Sequence, residues 1–296
     1  MRIFVTGASG FVGSAVVAEL IQAGHQVLGL ARSETSAQAL AAAGAQVQRG
    51  DLTDLASLHS AVAVSDAVIH TAFNHDFSRF LASCEEDGQV IAAMGAMLAG
   101  TDRPLVVTSA IAVAQAAPGL PATEDDRPKS CTVLPRAASE EAALAVAARG
   151  GNVSVVRLPQ VHDRRKQGLI SDLVKLAREK GVSAFVGEGK YRWPAAHVGD
   201  VARLYRLALE KQQAGAVYHA VAEEGITLRE IAEVIAYRLG LPAMAISHEE
   251  AASHFGWLAK FASLDMPASS ARTQALLGWL PQGPGLISDL QQLSID

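Results

Sequence analysis

The chain is predicted to be an α/β protein built around a parallel sheet. Its first residues form an apolar run that ends in Thr6-Gly7-Ala8-Ser9-Gly10-Phe11-Val12-Gly13, and apolar residues at helical spacing follow as far as residue 22. Strands and helices continue to alternate after it, and 50% of the 296 residues are hydrophobic, which suffices for a sizeable core. A strand, a glycine turn and a helix in this order predict helices packed on a parallel sheet.

The three glycines of the first turn have the spacing of a dinucleotide-binding loop. Gly7 permits a tight turn, Gly10 lets the backbone approach a pyrophosphate, and Gly13 lets the helix pack closely against the strand. The N-terminus of the helix can then hold the phosphate charge. The alternative is an ordinary turn between a strand and a helix. We predict cofactor contacts here from Gly7, Ser9, Gly10, Phe11, Val12 and Gly13.

The Gly-x-x-Gly-x-x-Gly spacing resembles that of the extended and atypical short-chain dehydrogenases/reductases, a superfamily that includes nucleotide-sugar epimerases and dehydratases. Later segments extend the resemblance over nearly the whole chain. The resemblance implies a Rossmann-type, doubly wound parallel sheet in residues 1–160, to which a later strand near residues 216–221 returns. It also implies a smaller C-terminal α/β substrate domain in residues 161–296, and an NAD(P) cofactor.

Composition and charge argue against several other classes of protein. The net charge of -5 and the pI near 6.0 disfavour nucleic acid or an anionic membrane as a main partner. No stretch reaches the ~20 apolar residues that span a bilayer, and Met1-Arg2 run directly into the first strand rather than into a signal peptide. Cys84 and Cys131 are predicted to be isolated thiols, and the dispersed histidines predict no metal site. We expect a cytoplasmic protein with a small-molecule substrate.

The end of the second strand bears on the choice between NAD and NADP. Ala31 provides no carboxylate for the ribose hydroxyl of NAD, whereas Arg32 and Ser33 offer a positive charge and a hydroxyl to the 2'-phosphate of NADP. We favour NADP; the alternative is that Arg32 is a solvated residue that stacks on adenine. The resemblance implies that Asp51 and Leu52 contact the adenine. It assigns further cofactor contacts to Thr71, Ala72, Phe73, Thr108 and Pro159.

The residues that carry out catalysis in this superfamily are replaced here. Its serine-rich segment corresponds to Thr108-Ser109-Ala110, so Ala110 occupies the position that contacts the substrate hydroxyl, and Ser109 is the nearest hydroxyl. Its Tyr-x-x-x-Lys pair corresponds to Arg136 and Glu140. We take Ser109, Arg136 and Glu140 as the candidate catalytic residues.

The two replacements differ chemically from the tyrosine and the lysine. An arginine, with a pKa above ~12, cannot act as a base near neutral pH, but Arg136 can stabilise a developing oxyanion or bind an anion with two hydrogen bonds. Glu140 can accept hydrogen bonds from ribose hydroxyls. The alternative is that the two side chains, four residues apart on a helix, form a weak ion pair of ~0.5 kcal/mol or less.

Residues 187–202 resemble the superfamily's glycine-rich turn, substrate-facing arginine and His-Val-x-Asp segment. Arg192 is therefore the candidate for gripping an anionic group on the substrate. Tyr191 and Trp193 are candidates for the pocket lining, beside Ala110, although half-buried packing explains the two aromatic residues equally well.

Small residues are frequent in the helices near residues 88–99 and 137–149. In the resembled superfamily these two helices pair across a two-fold axis, which implies a homodimer; the alternative is two ordinary buried helices.

Three functions fit the sequence. The first is an NAD(P)-dependent oxidoreductase that acts on a small carbonyl, imine or related substrate with a non-standard active site. The second is a catalytically silent NADP-binding sensor, because all three usual catalytic positions are changed. The third, by resemblance alone, is a nucleotide-sugar epimerase or dehydratase. We favour the oxidoreductase, because a preorganised pocket can replace one proton donor by another.

Overall fold

The computed structural model of the protein describes residues 1–293 and has a seven-stranded sheet at its centre. All its strand pairs are parallel, in the order β10-β6-β5-β4-β1-β2-β3. Three further strands form a sheet of order β11-β9-β7, and two form the pair β12-β8. The strands are β1 (Arg2–Thr6), β2 (Gln26–Ala31), β3 (Gln46–Arg49), β4 (Ala67–His70), β5 (Leu105–Ala110), β6 (Val153–Leu158), β7 (Gln160–His162), β8 (Ser183–Val186), β9 (Arg192–His197), β10 (Val217–His219), β11 (Glu223–Thr227) and β12 (Ala243–Ile246).

Helices cover both faces of the large sheet, which confirms the doubly wound α/β fold. The helices are α1 (Phe11–Gln22), α2 (Glu34–Ala42), α3 (Leu55–Ala63), α4 (Phe80–Met97), α5 (Ala138–Ala148), α6 (Ile170–Lys180), α7 (Val198–Lys211), α8 (Leu228–Leu239), α9 (His248–Phe255), α10 (Ala259–Ala262), α11 (Ala271–Leu277) and α12 (Leu286–Gln291). The strand order reverses between β1 and β4, and ligands of such sheets bind in the crevice at the carboxyl ends of the strands there.

Alternating residues of the strands supply two cores. Ile3 and Val5 of β1 face a core with helices α1 and α7, whereas Phe4 faces a core with α3, α4 and α5. This alternation is the period of two expected for a strand. The two cores hold the sheet rigidly, and so they fix the position of the loops at its carboxyl edge.

Helices α4 and α5 pack closely against each other within the chain. A Cβ atom added to Gly95 would lie 2.3 Å from Cγ2 of Val146, and one added to Gly88 would lie 3.3 Å from the carbonyl oxygen of Ala138. The small residues of α4 therefore serve its close packing on α5 within one chain.

The C-terminal part forms its own apolar clusters around the smaller sheets and helices α6, α8, α9 and α12. Strand β10, although late in the chain, pairs with β6 at the edge of the large sheet. Within residues 1–293, no helix combines the length and the apolar character that a membrane crossing requires.

Candidate active site

The glycine turn after β1 has the shape of a phosphate cradle. Gly7 has a φ of 66°, and a Cβ atom there would lie 2.6 Å from the backbone nitrogen of Ala72. A Cβ atom on Gly13 would lie 2.1 Å from the carbonyl oxygen of Gly7. Only glycine fits these two positions, because any side chain would collide with backbone atoms.

Gly10 differs from its two neighbours. Its φ of -77° and ψ of 175° are open to any residue, and an added Cβ atom would meet only the oxygen of Gly7, at 3.1 Å. The backbone angles therefore do not require glycine, but a side chain here would press on that oxygen, and the turn would have to shift by a few tenths of an ångström. A bare backbone at the start of α1 is what the pyrophosphate of a dinucleotide requires, so the cradle fits such a cofactor.

The ends of β2 and β3 form the side of the crevice where the adenosine would lie. The side chain of Arg32 is 79% exposed, and its Nε lies 3.8 Å from Oδ2 of Asp51. Ser33 caps α2 by accepting a hydrogen bond from the backbone N–H of Ser36. The pairing of Arg32 with Asp51 is loose and exposed, so the guanidinium can turn towards a phosphate.

Arg136 lies just before α5 and contacts three other segments, namely β5, α4 and the loop after β4. Its Nη2 donates to the carbonyl oxygen of Thr108 at 3.1 Å, and its Nη1 lies 3.2 Å from Oδ2 of Asp87. Its guanidinium carbon lies 4.4 Å from the centre of the Phe73 ring, within range of a cation–π interaction. Nη1 also bonds Oγ of Ser139. These contacts hold the guanidinium at the carboxyl edge of the sheet.

Asp87 connects Arg136 to a buried polar chain that the sequence did not reveal. Its Oδ1 lies 2.9 Å from Nε2 of His70, and Nδ1 of His70 lies 2.7 Å from Oγ1 of Thr6. Burial by itself would raise the pKa of Asp87, but the charge and hydrogen bond of His70, together with Arg136 and Ser139, lower that pKa below its ordinary value. Asp87 is therefore a buried carboxylate that fixes Arg136.

Glu140 is fully buried and does not pair with Arg136. Its Oε1 accepts a hydrogen bond from Nη2 of Arg157 at 2.5 Å, and its Oε2 accepts one from Nε of Arg157 at 3.0 Å. Oε2 also accepts a hydrogen bond from Oγ of Ser109 at 2.9 Å. Both carboxylate oxygens are thus occupied, and neither lies on the surface. Glu140 therefore has no free acceptor for the ribose hydroxyls, which was the role predicted for it.

Arg157 and His219 complete this buried network. Nη1 of Arg157 lies 3.1 Å from Nε2 of His219, and Nδ1 of His219 lies 2.8 Å from the carbonyl oxygen of Ser269. Burial and then the charge of Arg157 lower the pKa of His219 to about 4. A neutral imidazole that donates from Nδ1 and accepts at Nε2 satisfies both contacts.

Of the three candidate catalytic side chains, Arg136 alone retains appreciable exposed surface. Its side chain is 13% exposed, whereas Ser109 is 2% exposed and Glu140 0%. Ser109 and Glu140 bond each other, and Arg136 is separate from them. The geometry therefore makes Arg136 the residue that can touch a substrate, and the other two its neighbours in the core.

Aromatic rings extend from Phe73 to the C-terminal part of the chain. His75 and Phe80 lie 5.2 and 6.3 Å from the Phe73 ring, centre to centre. Phe77 stacks on Trp257 at 4.2 Å with an interplanar angle of 19°. The rings of residues 73–80 and Trp257, which we call the aromatic wall, thus run from the ring beneath Arg136 to Trp257. The sequence predicted Phe73 alone, because Trp257 lies far away in the chain.

The residues predicted to bind substrate have different surroundings. Arg192 donates from its backbone nitrogen, Nε and Nη2 to the carboxylate of Asp265, at 2.7, 3.1 and 2.7 Å. The hydroxyl of Tyr191 lies 2.7 Å from Nε2 of His248. Trp193 is 0% exposed in the C-terminal core, which is the packing alternative and not a pocket lining. Ala110, at the end of β5, is half-buried.

The amino-acid sequence is similar to those of proteins from other organisms. An uncharacterised protein of Schizosaccharomyces pombe is 47% identical over 291 residues, which is 98% of each chain. The 2-alkyl-3-oxoalkanoate reductase of Stenotrophomonas maltophilia is 30% identical over 270 residues, 85% of this chain and 80% of the relative.

The fold also has relatives among solved structures. A dTDP-glucose 4,6-dehydratase from Streptomyces venezuelae superposes with a TM-score of 0.78 at 21% identity, over 99% of this chain and 95% of that one. The family model for NAD-dependent epimerases/dehydratases matches residues 3–222. The chain therefore belongs to the NAD-dependent epimerase/dehydratase family.

Proposed function

We propose that the protein is an NADP-dependent oxidoreductase that reduces a small carbonyl compound, or a related imine, with an arginine in place of the usual tyrosine. The observation that carries the proposal is the cradle, in which Gly10 leaves the backbone bare at the start of α1. Gly7, Gly10 and Gly13 would hold the pyrophosphate, and Arg32 the 2'-phosphate. The bound nicotinamide supplies the hydride.

Arg136 would stabilise the oxygen of the substrate. Its guanidinium presents N–H donors at the carboxyl edge of the sheet, and Asp87 and Phe73 fix its orientation. An oxygen that gains negative charge is favoured by such a fixed donor, and removal of one donor of this kind typically lowers kcat by about 10²- to 10³-fold. Arg136 cannot release a proton near neutral pH, so the product alkoxide would take its proton from water.

The activity of one relative supports carbonyl reduction. The Stenotrophomonas maltophilia protein is a 2-alkyl-3-oxoalkanoate reductase, and it aligns over 85% of this chain. Among the three functions that fit the sequence, this favours the oxidoreductase over a nucleotide-sugar epimerase.

The experiment is a binding and turnover assay on the intact protein. NADPH should bind, and a panel of aliphatic ketones and oxo acids should contain compounds that oxidise it. Gly10→Val should abolish NADPH binding, and its melting temperature checks that it is folded, because the added Cβ atom would lie 3.1 Å from the oxygen of Gly7. Arg136→Ala should lower kcat by about 10²-fold and leave the Kd of NADPH unchanged. Failure of NADPH to bind would overturn the proposal.

A catalytically silent NADP-binding module is the second candidate. The burial of Ser109 and Glu140, whose polar atoms are committed to each other and to Arg157, favours it. It would replace the first proposal if NADPH binds tightly and no carbonyl in the panel, at millimolar concentration, is reduced faster than in the Arg136→Ala variant.

A further inference from the structure

A cavity of about 300 Å³ lies beside the end of β5. One wall is formed by residues 111–122, which directly follow Ala110, and another by residues 264–267 from the C-terminal part. Ala122 joins the two walls, because its N–H donates to the carbonyl oxygen of Pro267 and its own carbonyl accepts from Ser269, both at 2.8 Å. The volume is at the lower end of the range of small-molecule sites, roughly 300–1,000 Å³.

The side chains that line this cavity are mostly apolar, and polar atoms supply the rest of its surface. Every lining residue is apolar or a glycine except Lys129 and Asp265. Alanine, proline, leucine, isoleucine and methionine side chains offer no hydrogen bonds, so they match a hydrocarbon chain better than a sugar or a nucleotide.

The two charged residues of the lining differ in whether an ion pair compensates their charge. Asp265 is a carboxylate whose negative charge is compensated by Arg192. The hydrogen bonds from Arg192 lower the pKa of its carboxyl group. Arg192 is committed to the same contact. Lys129 is half-buried, and its Nζ has one weak contact, to the carbonyl oxygen of Ala112 at 3.4 Å. Within residues 1–293, no ion pair neutralises Lys129.

A half-buried ammonium beside apolar walls is stabilised by an anionic partner. We propose that the substrate is an oxo acid with an aliphatic chain, whose chain occupies this cavity and whose carboxylate binds Lys129. The proposal rests on the proposed function and names its substrate class. The sequence suggested that Arg192 binds the anionic group of the substrate. The proposal assigns this role to Lys129 instead.

Binding of probes in the presence of the oxidised cofactor, which has no hydride to give, tests the cavity independently of turnover. Butanoate, hexanoate, octanoate and 2-octanone are titrated calorimetrically into the protein saturated with NADP. The Kd of the carboxylates should fall about fourfold per added methylene, which is the value of a buried methylene. Octanoate should also bind more tightly than 2-octanone.

Two variants separate the chain from the charge. Lys129→Met, which keeps the shape of the side chain, should weaken octanoate at least tenfold and leave 2-octanone unchanged, whereas Lys260→Met at an exposed site should alter neither. Ala116→Phe should weaken both probes by narrowing the cavity, whereas Ala252→Phe, outside it, should not. NADPH affinity and the melting temperature confirm that each variant is folded.

The proposal is overturned if affinity is independent of chain length, or if Lys129→Met binds octanoate as the wild type does. If the probes bind as expected but no oxo acid is reduced, the cavity assignment stands and the oxidoreductase proposal fails. The two results are therefore distinguishable in the same samples.

Discussion

Arg32 is the single residue on which the proposed preference for NADP depends. Its exposed guanidinium has a weak ion pair with Asp51, at a distance of 3.8 Å between Nε and Oδ2. Little free energy is therefore lost when the guanidinium leaves Asp51 to bind a phosphate. Arg32→Ala should raise the Kd of NADPH by about 10- to 100-fold, the value of a hydrogen bond to a charged group, and leave that of NADH unchanged. Fluorescence titration measures both, with Arg229→Ala as a control on another face. Equal losses for the two cofactors would contradict the prediction.

His219 makes folding dependent on pH. Burial and the charge of Arg157 lower its pKa from 6.5 to about 4. The unfolded chain therefore binds the proton first as the pH falls, and the stability present above pH 6.5 is lost between about pH 6.5 and 4. The loss approaches about 3 kcal/mol at the lower limit.

Urea denaturation at several pH values measures this loss. His219→Gln, which keeps an acceptor for Arg157, should be less stable at pH 7 but should lose less stability on acidification. The exposed His59→Gln control should follow the wild type. A wild-type slope that survives in His219→Gln would assign the effect to other groups.

At the scale of elements, local pattern predicted most of the fold and distance in sequence limited the rest. The strand, glycine turn and helix at residues 2–22 were predictable because periodicity and turn geometry are local. Contacts between distant residues were not predictable. Ser109 and Arg157, for example, bond Glu140 across 31 and 17 residues of the chain. The sequence thus predicted which catalytic positions are changed, but not that Glu140 is buried against Arg157 while Arg136 contacts Asp87.

The stacking of Trp257 on Phe77 joins two distant parts of the chain. Trp257→Ala should release residues 73–80, because Trp257 is the contact through which the wall reaches the C-terminal part. Amide exchange in that segment should accelerate, and the KM for the carbonyl substrate should rise several-fold. The Kd of NADPH should change less than the KM, because Phe73 is the one predicted cofactor contact within this segment. Trp257→Phe, which preserves an offset-stacked pair, should behave as the wild type; unchanged exchange in Trp257→Ala would contradict the inference.

At the scale of the whole molecule, the remaining question is the outer surface of α4 and α5. Gly88 and Gly95 are used for packing within the chain, so they do not by themselves indicate a second subunit. Leu81 and Leu144 on the same helices are nevertheless 58% and 37% exposed. Apolar residues on the free side of a paired set of helices suit a two-fold interface, in which each copy presents the same surface.

We therefore propose a homodimer formed through α4 and α5. Sedimentation at micromolar concentration should give twice the 30.9 kDa of the chain. Leu144→Glu should give the single-chain mass, because a charge brought against its symmetry mate is both desolvated and repelled. Leu280→Glu introduces the same charge at another exposed leucine, which is 62% accessible to solvent, and this variant should remain dimeric. A wild-type protein that sediments as a single chain would mean that the small residues of α4 and α5 serve one chain alone.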